Sequence, residues 1–439
     1  MTHQPSPDPA EPDLVGDLPA APGTRRGGRL WRHHDFRQLW FGDTVSQLGT
    51  QLSVLALPVL AVQVLAADEL QMGVLGTCEF LAFLVIGLPA GAWVDRWRKR
   101  RVLIANDLVR AVTLATLPLA WALGVLTLPQ LFAVALVMGV STVFFDVAYQ
   151  SYLPDIVATR DIAEGNAKLQ ASQSVAMIGG PAVAGGLVRL VGAPLTLGLD
   201  ALSFLGSALF VRRIRHVDTP PAREGRRPLL VEIREGLSFV VHDPLLWRIT
   251  ACTGTCNLFS SMSGVLLVLF ALRELDLDEG HLGLAMGLGA GGGLVGALLT
   301  PAVNRLVGEG RSIPLCALLW VPAGALMPLA GTAIGPMLAL TVSSMLITFA
   351  VVVYNVTQVS FRQRLCPRPL LGRMNASIRF VVWGTMPIGS LVGGVLGQEL
   401  GIRTVYWVAC AGSALAAAFV VCSPLIAMRD LPGELERLS

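Results

Sequence analysis

Apolar stretches long enough to cross a lipid bilayer recur along nearly the whole chain, and no water-soluble fold can bury them all. A spanning helix needs about 20 mostly apolar residues. Such runs are expected near 36–65, 71–94, 101–122, 129–150, 167–191, 194–212, 246–272, 282–306, 312–330, 336–359, 374–400 and 404–428. Only 14% of the 439 residues are charged, against 53% hydrophobic; a soluble domain carries roughly a quarter charged. Lipid cannot hydrogen-bond an open backbone, so each run must close its bonds internally as a helix. The expected fold is an all-α membrane protein of twelve transmembrane helices.

Lys and Arg set the orientation. Arg25, Arg26, Arg29, Arg32 and Arg37 fall on one side, with Arg96, Arg98, Lys99, Arg100 and Arg101. Arg212, Arg213, Arg215, Arg223, Arg226, Arg227, Arg362, Arg364, Arg368 and Arg373 join them, while the other side has only Arg189, Arg273 and Arg403. The first side is expected to be cytoplasmic, with both termini inside and the chain multi-pass in the cell membrane. Residues 1–30, rich in Pro, Asp, Ala and Gly, read as a disordered cytoplasmic tail without the apolar core of a signal peptide. A six-helix half follows at 31–212, then a cytoplasmic linker at 213–245. Within it, 229–241 pattern as an amphipathic helix on the membrane surface. A second six-helix half covers 246–428, and 429–439 form a short tail.

The two halves repeat. At an offset of 209 residues, Asp95-Arg96 falls on Asn304-Arg305, Phe145-Asp146 on Tyr354-Asn355 and Asn166-Ala167 on Asn375-Ala376. Gly180, Gly185 and Gly192 fall on Gly389, Gly394 and Gly401. Parallel six-helix repeats are a transporter architecture with the substrate site between the halves.

The stretch Gly91-Ala-Trp-Val-Asp95-Arg96-Trp-Arg98-Lys99-Arg100-Arg101 resembles the loop between spans two and three of the major facilitator superfamily, although Arg98 stands where that family has Gly. The resemblance implies a gating role for Gly91, Asp95, Arg96 and Arg100. Gly179-Gly180-Pro181-Ala-Val-Ala184-Gly185-Gly186 is similar to the antiporter signature of the superfamily's exporters, with Ala184 replacing a Gly. Gly180, Pro181 and Gly185 there suit a kinked, closely packed helix. Tyr152-Leu153-Pro154-Asp155 and the segment from Arg234 to Pro244 resemble the macrolide, multidrug and siderophore exporter branch. Many proton-coupled members carry an Arg in span four; this chain has none.

Charged groups inside a membrane cost about 2.5–3.5 kcal/mol on insertion scales, so each needs a reason. Asp43, Gln47 and Gln51 recur every four residues and form a polar stripe on span one. Asp43 is the leading candidate for proton or cation exchange, with Gln47 and Gln51 along the path; an interhelical polar contact is the alternative. Glu79, alone on span two, is the second proton candidate. Asp107 and Arg110 are three apart and expected to pair. Asp146, with Asn355 at its repeat position, is a candidate gate with Arg379 as partner; helix capping is the alternative. Asp200 is expected to pair with Arg189 across the tight hairpin at Gly192. Asn257, Tyr354 and Gln358 are expected to line a cavity.

Other chemistries lack their residues. Gly287 to Gly292 spell a dinucleotide fingerprint, but no strand precedes them, so helix packing is the reading. There is no P-loop, and the six histidines lie outside the membrane centre, so no metal site is expected. The seven cysteines read as small packing residues, and no basic stripe with interleaved aromatics indicates nucleic acid. The expectation is a transporter rather than an enzyme, with no cofactor, acting as a monomer. It would export an amphiphilic small molecule against protons. An importer of the same fold, or a polytopic membrane enzyme or sensor, remains the alternative.

Overall fold

The computed structural model describes residues 29–94, 96–158, 161–216, 218, 229–366 and 371–429. Most of both expected tails, the linker residues 219–228 and the candidate gate residue Asp95 lie outside the described residues.

Among the described residues ten helices are long and apolar enough to cross a membrane: His34–Val64, Lys99–Ala122, Leu128–Ile156, Ile162–Val191, Ala193–Arg212, Pro244–Glu274, Glu279–Val307, Pro336–Leu365, Met374–Leu400 and Ile402–Val421. Two more elements complete twelve spans. Span two is broken into Glu69–Val85 and Gly87–Val94, because Pro89 has no N–H for the Val85 carbonyl. Span nine is Glu309–Ala325, shorter than the expected 312–330, and gives way to turns before Pro336. Span twelve stops at Val421 rather than near 428, where Ser423 and Pro424 open a separate short turn, Pro424–Ile426. Spans four and ten run about six residues beyond the apolar runs that announced them. Their last turns are polar, and a helix need not end where the hydrocarbon does. Leu229–His242 forms the expected linker helix and packs on span eleven and the start of span seven.

Helix starts repeat between the halves. Asp68 and Gln71 form a reciprocal capping box at span two. Asp278 caps span eight by accepting from the His281 backbone N–H at 2.8 Å, which holds its carboxyl below the usual carboxylate range. Spans one and seven both end in a π-helical turn, Leu60–Val64 and Phe270–Glu274. Each turn is followed by a left-handed non-glycine residue, Ala66 (φ 51°) and Asp276 (φ 50°). Ala66 and Asp276 are 210 residues apart, whereas the hairpin glycines Gly192 (φ 86°) and Gly401 (φ 83°) are 209 apart. The single offset read from the sequence is therefore two offsets, the second half being one residue shorter between these points.

The core shows how the halves meet. We call the end carrying Arg96–Arg101 and Arg212–Arg213 the basic end. At the opposite end one apolar core runs through both halves, from Leu55 and Leu75 to Leu266, Leu282 and Tyr406. At the basic end the core divides in two. One part, around Phe36, Phe145 and Tyr152, belongs to the first half; the other, around Leu246, Tyr354 and Phe361, belongs to the second. The molecule is closed at one end and parted at the other.

Glycines make the closure. Gly185 of span five lies against Gly283 of span eight, and a Cβ on Gly283 would overlap the Pro181 carbonyl and the Gly185 backbone. On the other flank Gly73 of span two meets Gly394 of span eleven in the same way. Polar ties sit beside them: Gln63 donates to Glu279, Arg189 lies 3.7 Å from Asp278, and Arg273 reaches the Val62 carbonyl at 3.5 Å. The fingerprint-like glycines also pack helices, Gly287 against span five and Gly289 and Gly292 against span ten.

Inside the first half, Asp107 and Arg110 form a buried ion pair. The Arg110 guanidinium lies between the rings of Phe145 (4.1 Å) and Phe204 (4.4 Å). Asp200 does not pair with Arg189, which crosses to the other half instead. Asp200 accepts from Ser53 and from Ser203 (2.8 Å), pinning span six to span one. The hairpin places Arg189 at the membrane edge, too far out to reach a carboxylate two turns down the next helix.

Two predictions follow from this packing. Gly283→Leu should destabilise the closed end by about 1–3 kcal/mol, as over-packing does. It should raise labelling of an Glu279→Cys reporter by a membrane-impermeant maleimide; unchanged labelling would show that the glycine contact does not close this end. Arg110→Ala should cost roughly 3–5 kcal/mol by stranding Asp107, while the double change to apolar residues costs much less; thermal unfolding in detergent checks both.

Candidate functional site

Where the halves part, three cavities adjoin. The largest, of about 970 Å³, lies between spans one, four, five and eleven. Its charged lining is Asp43, Asp146 and Arg379, and its neutral polar lining includes Gln47, Tyr149, Gln150, Asn166, Gln170 and Gln173. The second, of about 480 Å³, reaches into the second half past Thr253, Asn257, Asn355, Gln358, Arg362 and Asn375. Among the described residues its lining carries two arginines and no carboxylate. The third, of about 260 Å³, is an apolar crevice among spans two, four and eleven, lined by Phe83, Gly87, Gly91, Val143, Val147 and Phe380.

Helical periodicity builds the large chamber. Asp43 and Gln47 are one turn apart, and the Gln47 amide reaches the Asp43 carboxylate at 3.4 Å. Asp146, Tyr149, Gln150 and Leu153 repeat at three and four residues on span four; Asn166, Gln170 and Gln173 do the same on span five. That stripe was readable in the sequence by the same rule that found span one, and was missed. Gln51 continues the span-one stripe but does not line the chamber; it packs on Gly180 of span five. Asp43 is 4% exposed, at the chamber's inner wall.

Arg379 and Trp383 border all three cavities. The Arg379 guanidinium lies 4.5 Å from the Trp383 ring centroid and 4.0 Å from an Asp146 carboxylate oxygen on the other half. Both members of that pair are 37% exposed, so it contributes about 1 kcal/mol at most. Trp383 itself meets Phe83 of span two edge-on, with centroids 4.7 Å apart. Among the described residues, this weak ion pair and this aromatic contact are links between the two halves where they part.

The remaining candidates are scattered. Asn257 donates to the Val382 carbonyl (3.1 Å), and Gln358 to Asn355 (2.9 Å), both beside the second cavity. Tyr354 does not line a cavity. It is 1% exposed, packs on Trp320, and its hydroxyl is held by Thr253 (2.9 Å) and the Ile249 carbonyl. Its ring turns toward span nine, since a large aromatic fills the core there. Glu79 is half-buried on span two, where its carbonyl presses on Gly139. Gly91 lines the crevice and Arg96 is exposed. Arg100 binds within its own half, to the Val211 and Arg212 carbonyls at the end of span six. Gly180, Pro181 and Gly185 lie on the span-five surface that packs against spans one and eight. Among the described residues no group of three His, Cys, Asp or Glu could hold a metal ion.

Comparison with known proteins agrees with this architecture. The multidrug efflux pump Tap of Mycobacterium tuberculosis is 27% identical over 408 residues, covering 89% of this chain and 91% of Tap. Macrolide efflux protein A of Streptococcus pyogenes is 22% identical over 404 residues, covering 90% and 97%. The crystal structure of the nucleoside transporter NupG shares the fold, with a TM-score of 0.72 at 14% identity over 88% of this chain and 98% of that one. Residues 39–386 match the model of the Major Facilitator Superfamily, and the chain belongs to that family of membrane transporters.

Proposed function

We propose that this transporter is a proton-coupled exporter of amphiphilic small molecules, working as a monomer in the cell membrane with both termini in the cytoplasm. The observation that carries the reading is the large chamber, which opens at the basic end and holds Asp43 and Asp146. The positive-inside rule puts that end in the cytoplasm, so the chamber stands ready to load from within. The efflux relatives support the same direction.

In this reading substrate settles against the chamber walls, and its contacts with both halves favour the state closed at the basic end. A ligand shifts such a balance only by its difference in affinity for the two states. Outside, the glycine contacts part, substrate leaves, and a proton takes its place on a chamber carboxylate. Asp43 is the group for that step, since it is the most enclosed carboxylate of the chamber and the Gln47 amide stands beside it. Glu79, on span two outside the chamber lining, is the second candidate. Neutralising the carboxylate lowers the cost of closing the halves over it, which returns the chamber to the cytoplasm.

Transport in inside-out vesicles tests this. A panel of antibiotics and dyes should include compounds taken up on imposing an acid interior and released by a protonophore. Asp43→Asn, at normal membrane levels, should lower gradient-driven uptake by roughly 5–150-fold, the range of a coupling free energy of about 1–3 kcal/mol. Exchange of substrate without a gradient should persist. Gradient-driven uptake unaltered in the variant would remove Asp43 from the mechanism, and uptake of the panel only by right-side-out vesicles would make the protein an importer.

A further inference from the structure

We propose that Arg379 is a resident cation standing where the substrate's own positive charge binds, so that the transported class is the cationic amphiphile. This rests on the exporter reading of the same chamber.

Three observations carry it. The first is the charge of the large chamber: among the described residues that line it, two carboxylates, Asp43 and Asp146, face one cation, Arg379. With Arg379 withdrawn those described residues offer two acids and no counter-ion, a site for a cation and not for an anion. The second is that Arg379 can be withdrawn. At 4.0 Å its contact with Asp146 is at the limit of an ion pair, and both groups are open to water. Its guanidinium already rests on Trp383, and Trp383 also borders the second cavity. The Arg379 head can swing toward Asn355, Gln358 and Asn375 there without leaving the aromatic face. The third is the crevice that adjoins this point. Phe83, Val143, Val147 and Phe380 make an apolar wall, and at Gly87 and Gly91 an added Cβ would meet nothing within 4 Å. An apolar body fits beside a charge seated at Asp146.

The consequence is an exchange. The incoming cation takes Asp146 from Arg379, and its apolar part lies along the crevice between Phe83 and Val147 of one half and Phe380 and Trp383 of the other. One weak inter-half ion pair is replaced by a ligand that touches both halves over a larger area. The carboxylates set specificity and Arg379 sets the affinity: a neutral molecule of the same shape gains nothing from Asp146 whether or not Arg379 holds it, and an anion would have to face both carboxylates.

Equilibrium binding to the purified full chain in lipid nanodiscs tests this with three probes of similar shape: tetraphenylphosphonium, tetraphenylborate and triphenylphosphine oxide. The wild type should bind the phosphonium best. Arg379→Gln and Arg379→Ala should each tighten phosphonium binding by roughly two- to fivefold, the range of an exposed ion pair, and leave the phosphine oxide unchanged. Asp146→Asn should weaken the phosphonium alone, and Val147→Trp should weaken phosphonium and phosphine oxide together. The proposal is overturned if removing Arg379 weakens the phosphonium, if it tightens charged and neutral probes equally, if the borate binds best, or if the folded wild type binds no phosphonium. No gradient is present, so these outcomes leave proton-driven export untouched. Loss of gradient-driven transport with this binding pattern intact would count against the exporter reading alone.

Discussion

Backbone-to-backbone contact between the two halves, possible only because glycines face each other, governs the arrangement of everything else. Gly185 on Gly283 and Gly73 on Gly394 bring helices closer than any side chain would permit. Close approach is how helices gain attraction in lipid, where burial of apolar surface offers little. These contacts sit on both flanks at one end, so they draw that end shut and leave the other free to part. The continuous core at the closed end and the divided core at the basic end are the same fact seen in the apolar side chains.

The polar groups inside the membrane fall into two physical kinds. Asp107 with Arg110, and Asp200 with Ser53 and Ser203, are enclosed and paired within one half. They hold spans one, three and six as a unit, and releasing them would strand a charge. Asp43, Asp146 and Arg379 face the chamber, where water or a ligand can replace any partner. Rigid halves and an exchangeable interior are both needed for a device that rocks, and the chain separates them by depth and by helix.

Hydropathy made the twelve spans legible, because lipid imposes the same length and the same closed backbone on each. Their ends were less legible: spans four and ten outlast their apolar runs, while span twelve stops at Val421 before Pro424. The Asp146–Arg379 approach followed from repeat position and charge. Tyr354 misled because one aromatic hydroxyl serves equally in a wet wall or in a core, and only packing against Trp320 decides between them. Gln170, Gln173 and Trp383 carry no charge to draw the eye, though the first two keep helical spacing with Asn166. The one-residue change in the repeat offset was hidden, since matched glycines late in each half fix only the later register.

Span length has a consequence of its own. Six spans are long, 29 to 31 residues for spans one, four, five, seven, eight and ten. Spans six and twelve have 20 residues each and span nine has 17. At 1.5 Å per residue, 20 residues rise about 30 Å, the thickness of the hydrocarbon layer itself. Leu202, Leu209 and Leu415 on two of these short helices are exposed, so these are surfaces that acyl chains touch. A thin outer collar matched to the bilayer therefore surrounds a taller interior that is not. Bilayer thickness acts on the collar, and through it on how far the long helices can tilt. Lipid composition becomes a mechanical input to a machine whose chemistry lies wholly out of its reach.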